Sequence, residues 1–402
     1  MSIYPDHWIQ ATLGDVVQPR ATRVTPTPED ERPYLSMEHV EPGTTKVVGH
    51  GRAGDMTSAC MEFEPGDVLY GRLRPYLNKV CRPTFAGLAS AEFITFRDFD
   101  GVEPAFLKYT LNQPDFVAFA NQVNEGDRPR VKWSQIRSFP LTLPPLDEQQ
   151  RIVEAIEEHF SRLDAGVESL HRAKRNLARL RVSILRAGVE GHLTASDPKT
   201  WERRSIDQIG RVGSGATPKR GKSGYWVGGT IPWVTSGQLN DPLVTEPADY
   251  ITERAIQETS VQLWPVGTIL VAMYGEGKTR GKCSELAFPS TTNQACAAIV
   301  LNEEYAEMRP FLKLVLTARY EENRRLASGG VQPNLSLGLI KSIEVPIPER
   351  AVQCRIVEEA DRLLSVVESL EKTITLGMIR SDGLKRAILR EAFNGGLVLA
   401  AS

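Results

Sequence analysis

Between positions 151 and 187 the chain has no proline, and Ile156, Leu163, Leu170, Leu177 and Ile184 recur at intervals of seven, with Phe160 and Val167 on the neighbouring track. That spacing predicts a single long helix with an apolar seam, about 55 Å long at roughly 1.5 Å per residue. A second stripe, Ile356, Ala360, Leu363, Val367, Leu370, Ile374, Leu384 and Ile388, alternates spacings of four and three until Gly377 and Ser381 interrupt it. Burying about ten large apolar side chains would release on the order of 20 kcal/mol before entropy, so the two stripes are expected to form one seam. Elsewhere the pattern changes. Short apolar runs such as Val68-Leu-Tyr70, Phe93-Ile-Thr-Phe96, Thr268-Ile-Leu-Val-Ala-Met273 and Ala297-Ala-Ile-Val-Leu301 sit between Gly, Pro and Asn and predict strands, with short helices over 104–111 and 309–323.

Charge bears on how the helices pair. Each has an acidic first half (Glu154, Glu157, Glu158, Asp164, Glu168; Glu358, Glu359, Asp361, Glu368, Glu371). Each second half is basic (Arg172, Lys174, Arg175, Arg179, Arg181; Lys372, Arg380, Lys385, Arg386, Arg390). Laid antiparallel, unlike halves meet and the globular parts fall at opposite ends of the bundle; laid parallel, like faces like. The alternative is that the gradient serves only each helix's own dipole.

The two stripes belong to a larger repeat. Gly126-Asp-Arg-Pro129-Arg-Val131 stands against Gly330-Val-Gln-Pro333-Asn-Leu335, Ile136-Arg-Ser138 against Ile340-Lys-Ser342, Arg151-Ile-Val-Glu154 against Arg355-Ile-Val-Glu358, and Ile184-Leu-Arg186 against Ile388-Leu-Arg390. The offset is the same throughout. Upstream the likeness loosens, with Trp8 against Trp201 and Gly66-Asp-Val-Leu69 against Gly267-Thr-Ile-Leu270. A period this long marks a tandem duplication of a domain-plus-helix module, not a solenoid. The expected class is α+β: domains over 1–146 and 196–346, and helices over 147–195 and 347–402.

Composition narrows the function. At 402 residues, two cores are expected. No run of about 18 apolar residues could cross a bilayer, and the N-terminus has no signal pattern, so a cytoplasmic protein is expected. The five cysteines are scattered without a C-x-x-C pair, and none of the six histidines stands at metal-ligand spacing from another, so neither disulfides nor a metal site are expected. A net charge of −2 means that any nucleic-acid contact must be local.

Gly215-Ala-Thr-Pro218, Tyr225-Trp226, Ile231-Pro-Trp-Val234, Gly329-Gly-Val-Gln-Pro333-Asn-Leu-Ser336 and the Pro-Leu-Asp-Glu-Gln-Gln-Arg-Ile-Val run from Pro145 to Val153 together resemble the specificity subunit of type I restriction-modification systems. The likeness covers the whole chain. It implies two α/β target-recognition domains separated by two long antiparallel helices in a coiled coil, and a subunit with no catalysis or cofactor of its own. The implied partners are double-stranded DNA, two methyltransferase (modification) subunits that use S-adenosylmethionine, and restriction/translocase subunits that use ATP and Mg. Each domain would read one half of a split, asymmetric target, in a bacterial or archaeal cytoplasm. The first module departs from the pattern: 20–32 holds no Gly-x-Thr-Pro, and Gln150 stands where the second has Cys354.

Base reading needs donors and acceptors at turns, with cations for phosphates. Four basic clusters fit: Arg72, Arg74, Tyr76 and Lys79; Arg128, Arg130 and Lys132; Lys219, Arg220 and Lys222; and Tyr274, Lys278, Arg280 and Lys282. At matched repeat positions Arg128 stands against Gln332 and Arg130 against Asn334. Arg favours guanine and Asn or Gln adenine, so this swap is what two different half-sites would require. The alternative is surface arginines in one module and turn formers around Pro333 in the other.

Enzyme readings fare worse. The Pro144-Pro145 pair lacks the motif of adenine methyltransferases, a nuclease built on Glu276, Lys278 and Asp249 has no equivalent in the first module, and Gly213-Ser-Gly215 lacks a P-loop ending. A duplicated coiled-coil adaptor that never touches DNA is the remaining rival.

Overall fold

The computed structural model describes residues 7–20, 22–124, 129–194, 196–274, 280–320 and 335–399. The chain divides into two compact units, Met1–His171 with Thr375–Ser402, and Arg172–Ile374. Each holds one globular domain, the start of one long helix and the end of the other.

In the first unit, strand Ile9–Thr12 pairs antiparallel with Pro140–Leu143, bringing the start of the domain to the foot of the helix Leu146–Val189. Trp8 is buried there and donates its indole N–H to Glu148 at 3.2 Å. Between these ends lie a four-stranded sheet, in the order Val17–Arg20, Phe93–Phe99, Val68–Gly71, Val80–Cys81, and a five-stranded one, in the order Arg23–Val24, Cys60–Phe63, Gly87–Ala89, Pro33–Leu35, Gly51–Arg52. The helix Pro104–Thr110 forms where the sequence predicted one. The domain core around Tyr70, Phe96, Phe106 and Phe116 closes on Ile152 and Ile156 from the first long helix and on Leu389, Ala392 and Phe393 from the second, Arg350–Phe393. Phe106 and Phe393 meet edge to face at 5.1 Å.

The second unit repeats this plan. Glu202–Ser205 pairs with Glu344–Ile347 beside the buried Trp201. Its main sheet runs Gly210–Ser214, Cys296–Leu301, Ile269–Ala272, Cys283–Leu286, Leu243–Val244, with a smaller sheet of Asp249–Ile251, Ile231–Val234 and Thr291–Thr292. Its core closes on Val352, Ile356 and Ala360 from the second long helix and on Ile184 and Leu185 from the first. The predicted helix at 309–323 is described as Arg309–Ala318.

The foot of each long helix is fastened by a repeated glutamine. Gln149, fully buried, donates to the carbonyls of Pro144 and Gly101, both at 2.9 Å, and accepts from the Glu103 N–H at 2.8 Å. Gln353 donates to the Pro348 carbonyl at 2.8 Å. A buried amide so satisfied fixes where the helix leaves the domain.

Within each unit the helices run antiparallel. In the first, Asp164 bonds Lys385 at 2.6 Å while Gly377 lies against Leu170; in the second, Arg181 meets Glu371 at 3.4 Å while Gly188 lies against Ile356. Acidic half thus meets basic half twice. Partial burial opposes ionisation of Asp164, but hydrogen bonds from Lys385 and Lys46 outweigh it and hold its pKa below the usual value.

The seam itself needs correction. Ile156, Ile184, Ile356, Val367 and Ile374 are buried, and Leu163, Leu170, Leu177, Leu363 and Ile388 are half-buried, but Leu370 is 45% exposed and Leu384 52% exposed. The inward positions of the second helix run 367, 371, 374, 378, 381, 385, 388, which leaves 370 and 384 one residue off the stripe. Gly377 and Ser381 do not interrupt the contact. Ser381 is only 6% exposed, and a Cβ on Gly377 would stand 3.1 Å from a Leu170 methyl, so small residues let the helices approach closely.

Candidate nucleic-acid interface

The loop after Val68–Gly71 carries the first candidate cluster. Arg74 and Asn78 adopt left-handed backbone, with φ of 53° and 44°, a conformation that costs about 1–2 kcal/mol per non-glycine residue. The loop is nonetheless held: the Arg74 N–H donates to the Pro129 carbonyl at 2.7 Å and the Asn78 amide to the Asn112 carbonyl at 3.0 Å. Arg74 and Tyr76 stand exposed, with no side-chain partner among the described residues. Lys79 turns inward instead, its ammonium on the Met37 carbonyl, and burial lowers its pKa. It acts as a tether for the loop.

Arg72, Arg130 and Lys132 come to one place. Arg130 bonds Glu92 at 2.5 Å, and Arg72 approaches the same carboxylate at 3.5 Å. Arg72 and Lys132 line a cleft of about 200 Å³ with Arg20, Arg23, Phe93 and Trp133. Sequence reasoning missed Arg20 and Arg23, because they reach this cleft only through strand pairing, Arg20 in Val17–Arg20 against Phe93–Phe99 and Arg23 in Arg23–Val24 against Cys60–Phe63. Arg128 lies outside the described residues.

In the second domain, the turn opening with Gly215 is pressed onto Thr291–Thr292: the Ala216 N–H donates to the Thr292 carbonyl at 2.8 Å, and a Cβ on Gly215 would stand 2.0 Å from that oxygen. Only glycine fits so close an approach. The turn leads to Lys219, exposed, and to Arg220, whose guanidinium lies over Trp226 at 3.7 Å and Trp233 at 4.9 Å and bonds Asp249 at 2.7 Å. Lys222 is absorbed into the fold, bonded to the Tyr225 hydroxyl at 2.8 Å and to Glu258 at 2.5 Å. Hydrogen bonds from Lys222, Arg254 and Tyr225 pull the Glu258 carboxyl down to about 2.

Tyr274 is exposed, Arg280 is half-buried with no partner for its Nε among the described residues, and Lys282 bonds the Asn240 side chain at 2.8 Å. Lys282 also lines a cleft of about 1340 Å³ inside the second unit, with Arg203, Lys313 and Arg319. Lys278 lies outside the described residues, as do Gln332 and Asn334, the second-domain side of the Arg-for-Gln/Asn swap. Of the nuclease reading, Glu276 and Lys278 lie outside the described residues, and the Asp249 carboxylate is paired with Arg220; among the described residues no three metal-ligating side chains gather. No helix among them is long and apolar enough to cross a membrane.

The chain, whose two units each close a β-sheet domain on the long helices, matches a family model described as the type I restriction modification DNA specificity domain, over residues 85–170 and 198–376. The chain belongs to this family. Among related specificity subunits, that of the type I restriction enzyme EcoDI of Escherichia coli is 27% identical over 215 residues, 53% of this chain and 47% of that protein. That of EcoR124I/EcoR124II, also of Escherichia coli, is 28% identical over 292 residues, 70% of this chain and 67% of that protein. The first match thus spans about half of its relative's length. A chain from a structural study of assembly and conformational transition in the type I R-M system superposes with a TM-score of 0.80 at 20% identity, covering 98% of this chain and 99% of that one. The HsdS subunit from Thermoanaerobacter tengcongensis gives a TM-score of 0.60 at 21% identity, covering 98% of both. The structural matches speak to the fold.

Proposed function

We propose that this specificity-family chain is the sequence-reading subunit of a type I restriction-modification complex, binding a bipartite, asymmetric DNA target and positioning methyltransferase and restriction/translocase subunits without catalysing a reaction itself. S-adenosylmethionine, ATP and Mg belong, on this reading, to those partners, and the complex works on cytoplasmic, nucleoid DNA. The observation that carries the reading is the contrast inside the repeat: the frame is kept from one domain to the other while the loop side chains differ. A protein that reads two different half-sites through one scaffold requires that contrast, whereas a plain adaptor does not.

Mapping N6-methyladenine across the host genome tests it. The expected result is a bipartite motif with one methylated adenine on each strand, lost when this gene is deleted. A single continuous motif, or methylation that survives the deletion, would sink the proposal. An adaptor would also leave no steep salt dependence in the complex's affinity for duplex DNA.

A further inference from the structure

We infer that Arg220 reads a guanine through its base edge and is a specificity-determining residue of the second domain, an inference that rests on the DNA-reading function proposed above. The guanidinium is held on three sides. Trp226 and Trp233 lie under it at 3.7 and 4.9 Å and meet each other edge to face at 5.2 Å and 89°. Both indoles are fastened to the turn that carries Arg220: Trp226 donates to the Lys219 carbonyl at 3.4 Å and Trp233 to the Ala216 carbonyl at 3.2 Å. The third side is Asp249, which accepts from Nη1 at 2.7 Å and sits directly opposite Trp233 in the antiparallel pair of Ile231–Val234 with Asp249–Ile251.

What this leaves open is specific. Nε and Nη2 have no partner among the described residues, and the side chain is 56% exposed. Two parallel N–H donors on a planar, oriented fork match the O6 and N7 acceptors of guanine in the major groove. A phosphate is the poorer ligand, because the Asp249 carboxylate beside the fork repels a second anion while the neutral guanine edge is not repelled. Arg74 differs at this point: it is exposed and has no side-chain partner among the described residues, so it can follow a phosphate but is not set to choose a base.

The test compares the full chain, assembled with its methyltransferase subunits, as wild type, Arg220→Lys, Arg220→Gln and Trp226→Phe, by competition binding to a target library and by methylome mapping. Arg220→Lys keeps the charge and loses the fork, and should lower the preference for guanine at one position of one half-site about 10-fold, leaving the other half-site unchanged as proof of folding and assembly. Arg220→Gln should move the preference at that same position toward adenine, and Trp226→Phe should relax it to a smaller degree. A uniform loss over all sequences with a shallower salt slope would identify a phosphate contact and overturn the inference, as would unchanged guanine preference in Arg220→Lys or effects of the variants at different positions. If the wild type itself does not discriminate between sequences, the DNA-reading function falls and this inference with it. If the wild type discriminates and Arg220→Lys discriminates equally, the assignment of Arg220 alone falls.

Discussion

Where the chain leaves strand Val68–Gly71 in the first domain and Ile269–Ala272 in the second, the backbone does the same thing with different residues. The Arg72 N–H donates to Glu92 at 2.9 Å and its carbonyl accepts from Val131 at 3.0 Å; the Met273 N–H donates to Ala295 at 2.8 Å and its carbonyl accepts from Leu335 at 3.1 Å. Lys79 and Lys282 likewise accept at matched positions, from the N–H groups of Gly71 and Ala272. Yet where the first domain has Arg72, Glu92, Lys132 and Trp133, the second has Met273, Ala295, Ser336 and Leu337 at the matched positions. Here the first domain gains a cleft lined with Arg20, Arg23, Arg72 and Lys132, whereas the second sets Arg220 against Trp226, Trp233 and Asp249 beside its smaller sheet. Main-chain hydrogen bonds do not depend on side-chain identity. A duplicated scaffold can therefore keep its skeleton while its surface changes, and the two surfaces reach guanidinium chemistry by different constructions.

If frame and surface are separable, damage to the frame should be large and confined to one unit. Phe393→Ala removes a ring from the core of the first domain and should cost about 3–5 kcal/mol. Amide exchange should then speed up in Phe93–Phe99 and not in Ile269–Ala272; equal acceleration in both would show that the cores are not independent. The helix seam gives a smaller effect. Gly377→Leu drives a side chain into Leu170 and should destabilise by about 1–3 kcal/mol in urea unfolding, whereas Leu370→Ala, off the stripe, should cost far less. Similar losses for both would restore Leu370 to the seam.

The smallest effect belongs to charge. The ammoniums of Lys385 and Lys46, working against partial burial, hold the Asp164 pKa below its unfolded value, so its contribution is present above about pH 4 and lost as pH falls through the depressed folded value. Asp164→Asn should therefore lower stability at neutral pH by up to about 1 kcal/mol and flatten the acid limb of the stability curve. An unchanged acid limb would reduce the antiparallel charge match to a surface ornament.

Much of the frame was legible. Heptad spacing, the charge halves and the short apolar runs between Gly, Pro and Asn are local or periodic properties, and they foretold both long helices, their antiparallel pairing and the main strands. The stripe misplaced Leu370 and Leu384 and treated Gly377 and Ser381 as a break, because periodicity counts apolar residues while packing counts volume, and a close helix contact prefers small ones. The candidate interface was legible only as a set of cations. That Lys79 and Lys222 are tied into the fold while Arg220 is oriented for use depends on Met37, Glu258 and Asp249, all far along the chain.

By itself, then, the sequence determined the duplication, the helical frame and the residue types available at the turns, since these follow from spacing and composition. Tertiary structure alone decided which cations are consumed and which are presented. A guanidinium's availability depends on the carboxylates and rings brought beside it, and strand pairing, not sequence proximity, sets Asp249 opposite Trp233 and Arg20 beside Arg72.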